Sequence, residues 1–488
     1  MKKKLLTAVL AATMTMSALS PMTVSAADER VTLNLFIPTL ANYSDDAVAE
    51  VEAALNEYLS DKYDFDVALK YTEIGNFENT INLAMTTDEV DVTCYFIDGG
   101  KLQTYAHNNQ LLDITDYFEN ASDELKNTFT EAEIQATTVD GRMYGLPRKY
   151  QYGGGAVLVM NKDIVEEMGI DPASIKDLDS VGDVLRQVKE AHPELSCVLA
   201  PQSSAELCWT TTWDKTIGGT TFAYAENFDS TELKSVFEMD SFREWCERTH
   251  EWYQDGLIMS DVISNTSEGT DLVSNGAAFA CLHNADIDPL DTFYSNTVVT
   301  DFLIEPNAYS TSIGNLQYGI SSNSANPDKS FELLNILYTD PEFETILSYG
   351  IEGEHYVINE DGKADYPEGM DSTNEPYGGF AATAAYPDYL LLPVKASATV
   401  DDYKTAVDEW NNSVNVSDTM GFTFDTSEHA DFITAYANLE DKYLNALTSG
   451  SIALDDVLPS IQSELEAIGF YEVLAEEQAQ LDEFLANK

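Results

Sequence analysis

The sequence predicts an α/β protein whose first sheet is mostly parallel and doubly wound. Three strand-like segments alternate with two amphipathic helical segments in the first hundred residues. The strands read "VTLNLFI", "FDVALKYTEI" and "VDVTCYFI", and the helical patterns between them include "AVAEVEAAL" and "NFENTINLAM". Alternating β-α-β units favour parallel strands that are covered by helices. Ligands of such sheets bind outside the carboxyl ends of the strands.

The first helix illustrates the pattern. Ser44 stands at the N-cap position, and Ala47, Val48, Val51, Leu55 and Leu59 recur on one helical face. Two loops follow the carboxyl ends of the first and third strands, over residues 38–45 and 98–101. We therefore expect ligand-binding residues in these loops, and the candidates are Asn42, Tyr43 and Asp98.

The α/β pattern restarts after a glycine-rich stretch. "YGLPRKYQYGGG" precedes the apolar segment "AVLVMN", and helical patterns then return, so a second α/β unit is predicted to extend to about Asn275. "GAAFACLHN" (276–284) and "QYGISSNS" (317–324) indicate two further strands. From Asp401 to the end the pattern is mostly helical.

The N-terminal segment has the features of a secretory signal peptide. Lys2, Lys3 and Lys4 precede a short apolar run, and Val24-Ser25-Ala26 offers a small-residue cleavage site, which predicts a signal peptide over residues 1–26. The first cysteine is Cys94, so no lipid-modified cysteine is expected at the new N-terminus. We expect a secreted, extracellular protein without stable membrane insertion, with association at the cell surface as the alternative.

The charge composition limits the classes of partner that the protein can bind. Cleavage at Ala26 would leave 22 basic and 85 acidic residues, a formal charge of −63. Such a balance opposes binding to nucleic acid and to anionic membranes, which require basic surfaces. A solvated acidic surface is favoured over a specific cation-binding role. The five scattered cysteines do not indicate a disulfide framework.

A family resemblance follows from the order of the motifs. "YGLP", "AVLVMNKD", "GAAFACLHNAD" and "GISSNSANPDKSFELLNILYTDPE" occur in the order found in type-1 extracellular solute-binding proteins of ABC importers, the maltose-binding-like group. "LSYGIEGEHYV" and "LEAIGFYEVLAEEQAQLDEFL" resemble a subfamily that Gram-positive bacteria use for oligosaccharide uptake. The resemblance extends over nearly the whole chain after the signal peptide.

The resemblance implies a two-lobed, periplasmic-binding-protein-like (Venus flytrap) fold with crossing hinge strands and a helical C-terminal region. The implied divisions are lobe 1 over residues 27–148, lobe 2 over 149–280, a return to lobe 1 over 281–325, and mainly lobe 2 with a helical extension over 326–488. The glycine-rich stretch would be the first crossing and "GAAFACLHN" the return. Glycines would allow the hinge to bend.

The implied ligand is a carbohydrate, which aromatic rings would contact on its apolar face and polar side chains would bind at its hydroxyl groups. Beside the loop residues, the candidate ligand-binding residues are Arg148, Tyr150, Tyr152, Trp209, Trp213, Asn284 and Tyr318. The tyrosines and tryptophans could equally be packing residues. For Arg148 and Lys149 an inter-lobe salt bridge is favoured over contact with an acidic sugar. Glu352 and His355 could contact ligand or brace their loop. Where relatives often carry a Trp-Gly-Asn cluster, this chain has "EPYGGFAATAAYPDY", so the ligand identity of those relatives does not carry over to it.

No motif indicates an enzyme or a cofactor. The chain lacks a G-x-S-x-G elbow, a phosphate-binding loop and metal-ligand spacing of its six histidines. We therefore expect a monomer that binds a neutral oligosaccharide and delivers it to ABC permease subunits, with no metal. The main alternative is a free secreted carbohydrate-binding or adhesive protein, and a secreted glycan hydrolase is less favoured.

Overall fold

The computed structural model of the protein describes residues 30–39, 43–87, 89–96, 101–199, 213–214, 217–265, 267, 269–285, 287, 296–309, 312, 316–371, 374–378, 386–398, 400–426 and 428–487. The predicted signal peptide and the candidates Asn42, Asp98 and Trp209 lie outside these residues.

The described strands and helices are numbered in chain order. The strands are β1 Val31–Thr39, β2 Phe65–Glu73, β3 Val92–Phe96, β4 Thr138–Val139, β5 Arg142–Met143, β6 Leu146–Pro147, β7 Gly154–Asn161, β8 Ser196–Leu199, β9 Ala278–Ala285, β10 Thr297–Val299, β11 Ile304–Ala308, β12 Leu316–Ile320, β13 Val357–Ile358, β14 Ala364–Asp365 and β15 Asn415–Val416. The α-helices are α1 Asp45–Ser60, α2 Ile74–Ala84, α3 Lys101–His107, α4 Thr115–Glu119, α5 Asp123–Thr128, α6 Glu131–Gln135, α7 Lys162–Met168, α8 Leu178–Ala191, α9 Asp240–Gln254, α10 Gly269–Ser274, α11 Pro327–Thr339, α12 Pro341–Tyr349, α13 Tyr403–Ser413, α14 Ala430–Thr448, α15 Leu454–Ala467 and α16 Phe470–Asn487.

Lobe 1 is built on a five-stranded sheet in the order β2-β1-β3-β12-β6. Its first three strands pair in parallel, as predicted, whereas β12 is antiparallel to both β3 and β6. Helix α1 begins where expected, because the Ser44 hydroxyl accepts a hydrogen bond from the Ala47 amide at 3.1 Å. Of its predicted apolar face, Ala47, Val51, Leu55 and Leu59 are buried and Val48 is half-buried.

Lobe 2 is built on a second sheet in the order β15-β11-β7-β9-β8, with β10 also paired to β7. Here the pairing is mixed, since β7 is antiparallel to β9, β10 and β11. The prediction of a mostly parallel arrangement therefore applies only to the start of lobe 1. Helices α14, α15 and α16 close this lobe, and their apolar residues share one core with β7 and β9.

Two of the predicted divisions are wrong. The strand β9, taken as the return to lobe 1, lies inside the second sheet between β7 and β8. The return instead falls between β11 and β12, which belong to different sheets. Helices α11 and α12, assigned mainly to lobe 2, bury their apolar residues in the lobe 1 core with β1 and β3. The error has one cause: apolar strands of similar composition cannot be assigned to a sheet without knowing their partners.

The chain thus passes between the sheets three times. The first crossing is residues 148–153 between β6 and β7, and the second joins β11 to β12 and includes the described residues Tyr309 and Ser312. The third crossing, residues 402–414, contains α13 and enters the second sheet at β15. Before it, the described residues between Gly350 and Val400 form an excursion, and its buried aromatic residues, together with Tyr349 and Tyr403, pack against Tyr150 of the first crossing.

Candidate functional site

A cavity of about 230 Å³ lies against the first crossing. Its lining consists of Arg148, Tyr150, Gln151, Tyr152, Gly153, Ser312 and Leu316. Complete ligand pockets for drug-sized molecules usually measure about 300–1,000 Å³, so this cavity can hold only part of a larger ligand. Because its lining comes from the first and second crossings, it lies at the junction of the two lobes.

Arg148 and Tyr150 form one side of this cavity. The guanidinium carbon of Arg148 lies 4.2 Å from the centre of the Tyr150 ring, which gives a cation–π contact. The edge-on ring of Tyr389 is 5.1 Å from Tyr150. Burial lowers the pKa of Arg148, but a guanidinium stays protonated in proteins. The cavity therefore has a fixed positive charge, with N–H donors suited to hydroxyl or carboxylate oxygens.

Tyr152 is held by a buried carboxylate. Its hydroxyl donates to Oε1 of Glu133 at 2.6 Å, and Nζ of Lys149 contacts the same oxygen at 2.7 Å. Burial alone would raise the pKa of Glu133, but the charge and hydrogen bond of Lys149, with hydrogen bonds from Tyr152 and Thr130, lower it below its usual value. Lys149 does form a salt bridge, as favoured from the sequence. Its partner is on α6, which packs beside β6, so this salt bridge does not join opposite lobes.

Two residues of the third crossing form hydrogen bonds with the backbone of Tyr152. Trp410 donates from Nε1 to the Tyr152 carbonyl at 2.8 Å, and the Tyr152 amide donates to Oδ1 of Asn411 at 2.7 Å. The Trp410 ring also packs 6.0 Å from that of Phe302. Tyr152 is consequently fixed at its hydroxyl and at both backbone groups, which favours its packing role over that of an unobstructed sugar platform.

The glycine triplet Gly153-Gly154-Gly155 permits close approach of strands. Gly153 has φ +62°, and a Cβ there would lie 1.7 Å from the carbonyl oxygen of Asn307. A Cβ on Gly155 would lie 2.5 Å from the carbonyl oxygen of Ile304. Gly154 and Gly155 already belong to β7. Only Gly153 of the triplet uses a left-handed conformation, and in this structure Gly153 and Gly155 allow close approach to β11 whereas Gly154 allows close approach to β9.

The other described candidates occupy three environments. Tyr43 stacks on Tyr71 with ring centres 4.3 Å apart and meets the edge of Tyr377 at 4.9 Å. Tyr318 and Trp213 are 0% and 1% exposed, within the lobe 1 and lobe 2 cores respectively. In this conformation neither buried ring offers a face to a ligand. Asn284 is half-buried on β9, opposite Ala156 of β7.

The loop from Gly350 to Tyr356 is braced by His355. The Nδ1 atom of this buried histidine accepts the Ile351 amide at 3.0 Å, and its ring lies against Gly350, which has φ +83°. Burial lowers the pKa of His355. Of the two roles considered from the sequence, bracing the loop is the one these contacts support.

Two larger cavities lie on lobe 2, away from the crossings. One of about 500 Å³ is lined by α8 and α9, and another of about 520 Å³ by residues 231–233 and α16. Among the described residues, no cluster of three histidine, cysteine or carboxylate side chains could hold a metal. Cys94, Cys246 and Cys281 are buried thiols. The described helices include none long and apolar enough to cross a membrane.

Sequence reasoning identified the crossing but missed what secures it. Glu133 lies 15 residues before the crossing, whereas Asp388, which bridges to the Lys149 backbone, and Trp410 lie more than 200 residues after it. Trp410 carried one weak signal, as a tryptophan in the otherwise polar stretch "DEWNNS". No local signal distinguishes Glu133 or Asp388 from the other acidic residues.

Two α/β lobes joined by three crossings, with a cavity at their junction, define a two-lobed ligand-binding protein. A family model described as bacterial extracellular solute-binding protein matches residues 53–350, more than half of the chain. The protein belongs to this family, which confirms the resemblance and the fold read from the sequence. It is therefore a binding protein and not an enzyme. Residues 418–486, which include α14, α15 and all of α16 but its last residue, match a domain of unknown function (DUF3502).

Individual relatives agree with this assignment. The chain is 25% identical over 462 residues to a protein of Streptococcus pneumoniae serotype 4 named carbohydrate ABC transporter substrate-binding protein, covering 91% of this chain and 89% of that one. The fold is similar to that of the N-glycan transport solute binding protein NgtS from Streptococcus pneumoniae, with TM-score 0.79 and 21% identity over 94% of this chain and 99% of that one. The alginate-binding protein AlgQ2 is more distant, with TM-score 0.59 and 15% identity, covering 93% and 98% of the two chains.

Proposed function

We propose that the protein captures a neutral oligosaccharide between its two lobes and delivers it to the permease of an ABC importer. The name of the pneumococcal relative supports a carbohydrate and an ABC transporter. NgtS has been crystallised with Man1GlcNAc and with Man5GlcNAc, so a protein of this fold binds glycans of different lengths.

The observation that carries the proposal is the cavity at the first crossing. It combines the guanidinium of Arg148, the ring of Tyr150 and the amide of Gln151 around a space for part of a ligand. Sugars present an apolar C–H face and a ring of hydroxyls, which such a mixture of aromatic and polar groups accommodates. We expect one sugar unit in this cavity and the remainder of the oligosaccharide along the cleft.

A neutral ligand follows from the overall charge. The full chain has a formal net charge of −60. An anionic glycan would be repelled on approach, and the single guanidinium of Arg148 would have to offset that repulsion. The hydroxyl groups of a neutral sugar can accept hydrogen bonds from the N–H groups of Arg148 without this charge repulsion.

The test is calorimetric titration with Man1GlcNAc and a panel of neutral and acidic glycans, followed by mass analysis of the recovered ligands. When the free glycan concentration is 100 times the dissociation constant, binding should add about 2.7 kcal/mol to the free energy of unfolding. Recovered glycans should be unchanged. Absence of binding to every glycan, or turnover of any, would contradict the proposal.

Tyr150→Ala locates the site. We expect it to weaken binding by about 1–3 kcal/mol, the range for aromatic stacking on planar ligands. Tyr471→Ala is the control, because Tyr471 is an exposed residue of α16 on lobe 2. Equal affinities of the two variants would place the site elsewhere. Permease dependence is tested separately, by uptake of the identified glycan in cells lacking this protein.

A further inference from the structure

The excursion before the third crossing is fastened to the first crossing by its backbone. The Lys149 amide donates to the Pro387 carbonyl at 2.8 Å, and the Tyr389 amide donates to the Lys149 carbonyl at 3.1 Å. The ring of Tyr389 packs against Tyr150, which lines the cavity. We call residues 387–389 the clasp. Any bending of the first crossing must move it relative to this clasp.

Asp388, at the centre of the clasp, is a buried carboxyl group. Its side chain is 3% exposed, and Oδ1 accepts the Leu390 amide at 2.9 Å at the start of a short 3₁₀ turn, Tyr389–Leu391. Charged or titratable side chains from the neighbouring elements interact electrostatically with Asp388. They are Lys149 of the first crossing, Glu133 of α6, Tyr338 of α11, Glu344 of α12 and Lys404 of α13.

The charges around the clasp are unbalanced. Glu133 is ionised and already shares its Oε1 with Lys149 and Tyr152. Glu344 is fully buried, and Ser348 donates to its Oε1 at 3.2 Å. Burial, and then the charge of Asp388, raise the pKa of Glu344 well above its usual value. Because Lys149 already pairs with Glu133, ionisation of Asp388 would add a buried negative charge that must share Lys149 with Glu133, with Lys404 as a further cation.

The proton on Asp388 should titrate near neutrality. Burial raises its pKa to about 7, with the Leu390 hydrogen bond and Lys149 acting in the opposite direction and Glu133 acting in the same one. Since the folded pKa lies above that of an unfolded aspartate, about 3.9, the stabilising effect is complete below pH 4 and is lost as the pH rises to about 7.

Building on the proposed function, we propose that protonation of Asp388 tightens the clasp on the first crossing, and that its ionisation releases the crossing so that the lobes close more readily on the glycan. The residue would then couple ligand affinity to external pH without touching the ligand. Asp388 acts here as a positioning residue.

The main test compares wild type with Asp388→Asn. Asparagine retains the Oδ1 acceptor for the Leu390 amide and resembles the protonated acid, so the fold should persist. We expect wild-type affinity for Man1GlcNAc, or for another glycan identified by the panel, to rise roughly fivefold or more from pH 6 to pH 8, within the usual range of coupling between sites. Affinity of Asp388→Asn should stay flat, and the control Asp361→Asn, in an exposed turn, should follow wild type.

A second variant and a ligand-free measurement complete the test. Glu344→Gln keeps this neighbour uncharged at every pH, as its raised pKa already does near neutrality, so its affinity transition should stay at the pH of the wild-type transition. Without ligand, the thermal unfolding midpoint of wild type should fall between pH 4 and pH 7 by more than that of Asp388→Asn. Parallel profiles of wild type and Asp388→Asn in both measurements, or a wild-type affinity that falls with pH, would overturn the inference. If no glycan binds at any pH, the proposed function fails, whereas the midpoint profiles still decide whether Asp388 controls the clasp.

Discussion

Replacing Gly153 by alanine should loosen the contact between the first crossing and lobe 2. Alanine at φ +62° costs about 1–2 kcal/mol for a left-handed backbone. Its Cβ would also lie 1.7 Å from the Asn307 oxygen and 2.8 Å from Ala308 Cα, so β11 must retreat by roughly 1 Å. That movement strains the pairing of Asn307 with Gly154 and should cost a further 2–4 kcal/mol, approximately.

Gly141→Ala is a matched control. Gly141 has φ +74°, and a Cβ there meets no atom within 4 Å, so only the backbone term applies. Unfolding of roughly 460 residues has an entropy of about 1 kcal/mol/K, so we expect midpoints lowered by about 3–6 °C for Gly153→Ala and about 1–2 °C for Gly141→Ala. Differential scanning calorimetry of both variants measures the difference. Equal shifts would show that β11 does not press on the crossing, and the reasoning from close approach would be refuted.

Further predictions concern buried polar groups. Glu477 of α16 is fully buried, with Thr220 donating to Oε1 at 3.3 Å, and burial raises its pKa. Glu477→Gln should therefore stabilise the protein increasingly above pH 4.5, and melts at pH 5 and pH 8 that show no growing advantage would contradict this. Trp410→Phe removes the hydrogen bond to Tyr152 and should cost about 1 kcal/mol in unfolding experiments. A larger loss of glycan affinity than of stability would instead indicate that Trp410 contacts the ligand. Tyr152→Phe removes one hydrogen bond to Glu133, and its glycan affinity should stay within about threefold of wild type if the packing role is correct.

Local patterns predicted the individual elements of this protein well. The cap and apolar face of α1 depend on residues three or four positions apart, and both were correct. The strand β9 was found, but its sheet was wrong, because membership depends on pairing with β7 rather than on its own composition. The same limit applies to α11, whose lobe is decided by the strands it covers.

In the candidate site too, the segment was predictable from the sequence, whereas the positions of its side chains were not. The first crossing was predicted from the resemblance to two-lobed solute-binding proteins, with its glycines as the expected hinge, and residues 148–153 do join β6 of the first sheet to β7 of the second. The positions of Tyr152 and Lys149, however, are determined by Glu133 and Trp410, which only the tertiary structure brings near. Several predicted contacts, including Asn42, Asp98 and Trp209, lie outside the described residues and stay predictions.

The three crossings have a consequence for how the chain folds. In lobe 1, β3 pairs with β12, whose partner residues lie more than 200 positions later, after most of the second sheet has been passed. Closing so long a loop costs much conformational entropy before the hydrogen bonds between β3 and β12 form, and this slows folding. Until β12 arrives, the edge of β3 has no strand to cover it, and an uncovered edge invites association with other chains. We therefore expect lobe 1 to complete its sheet late, after β7 and β9 have paired.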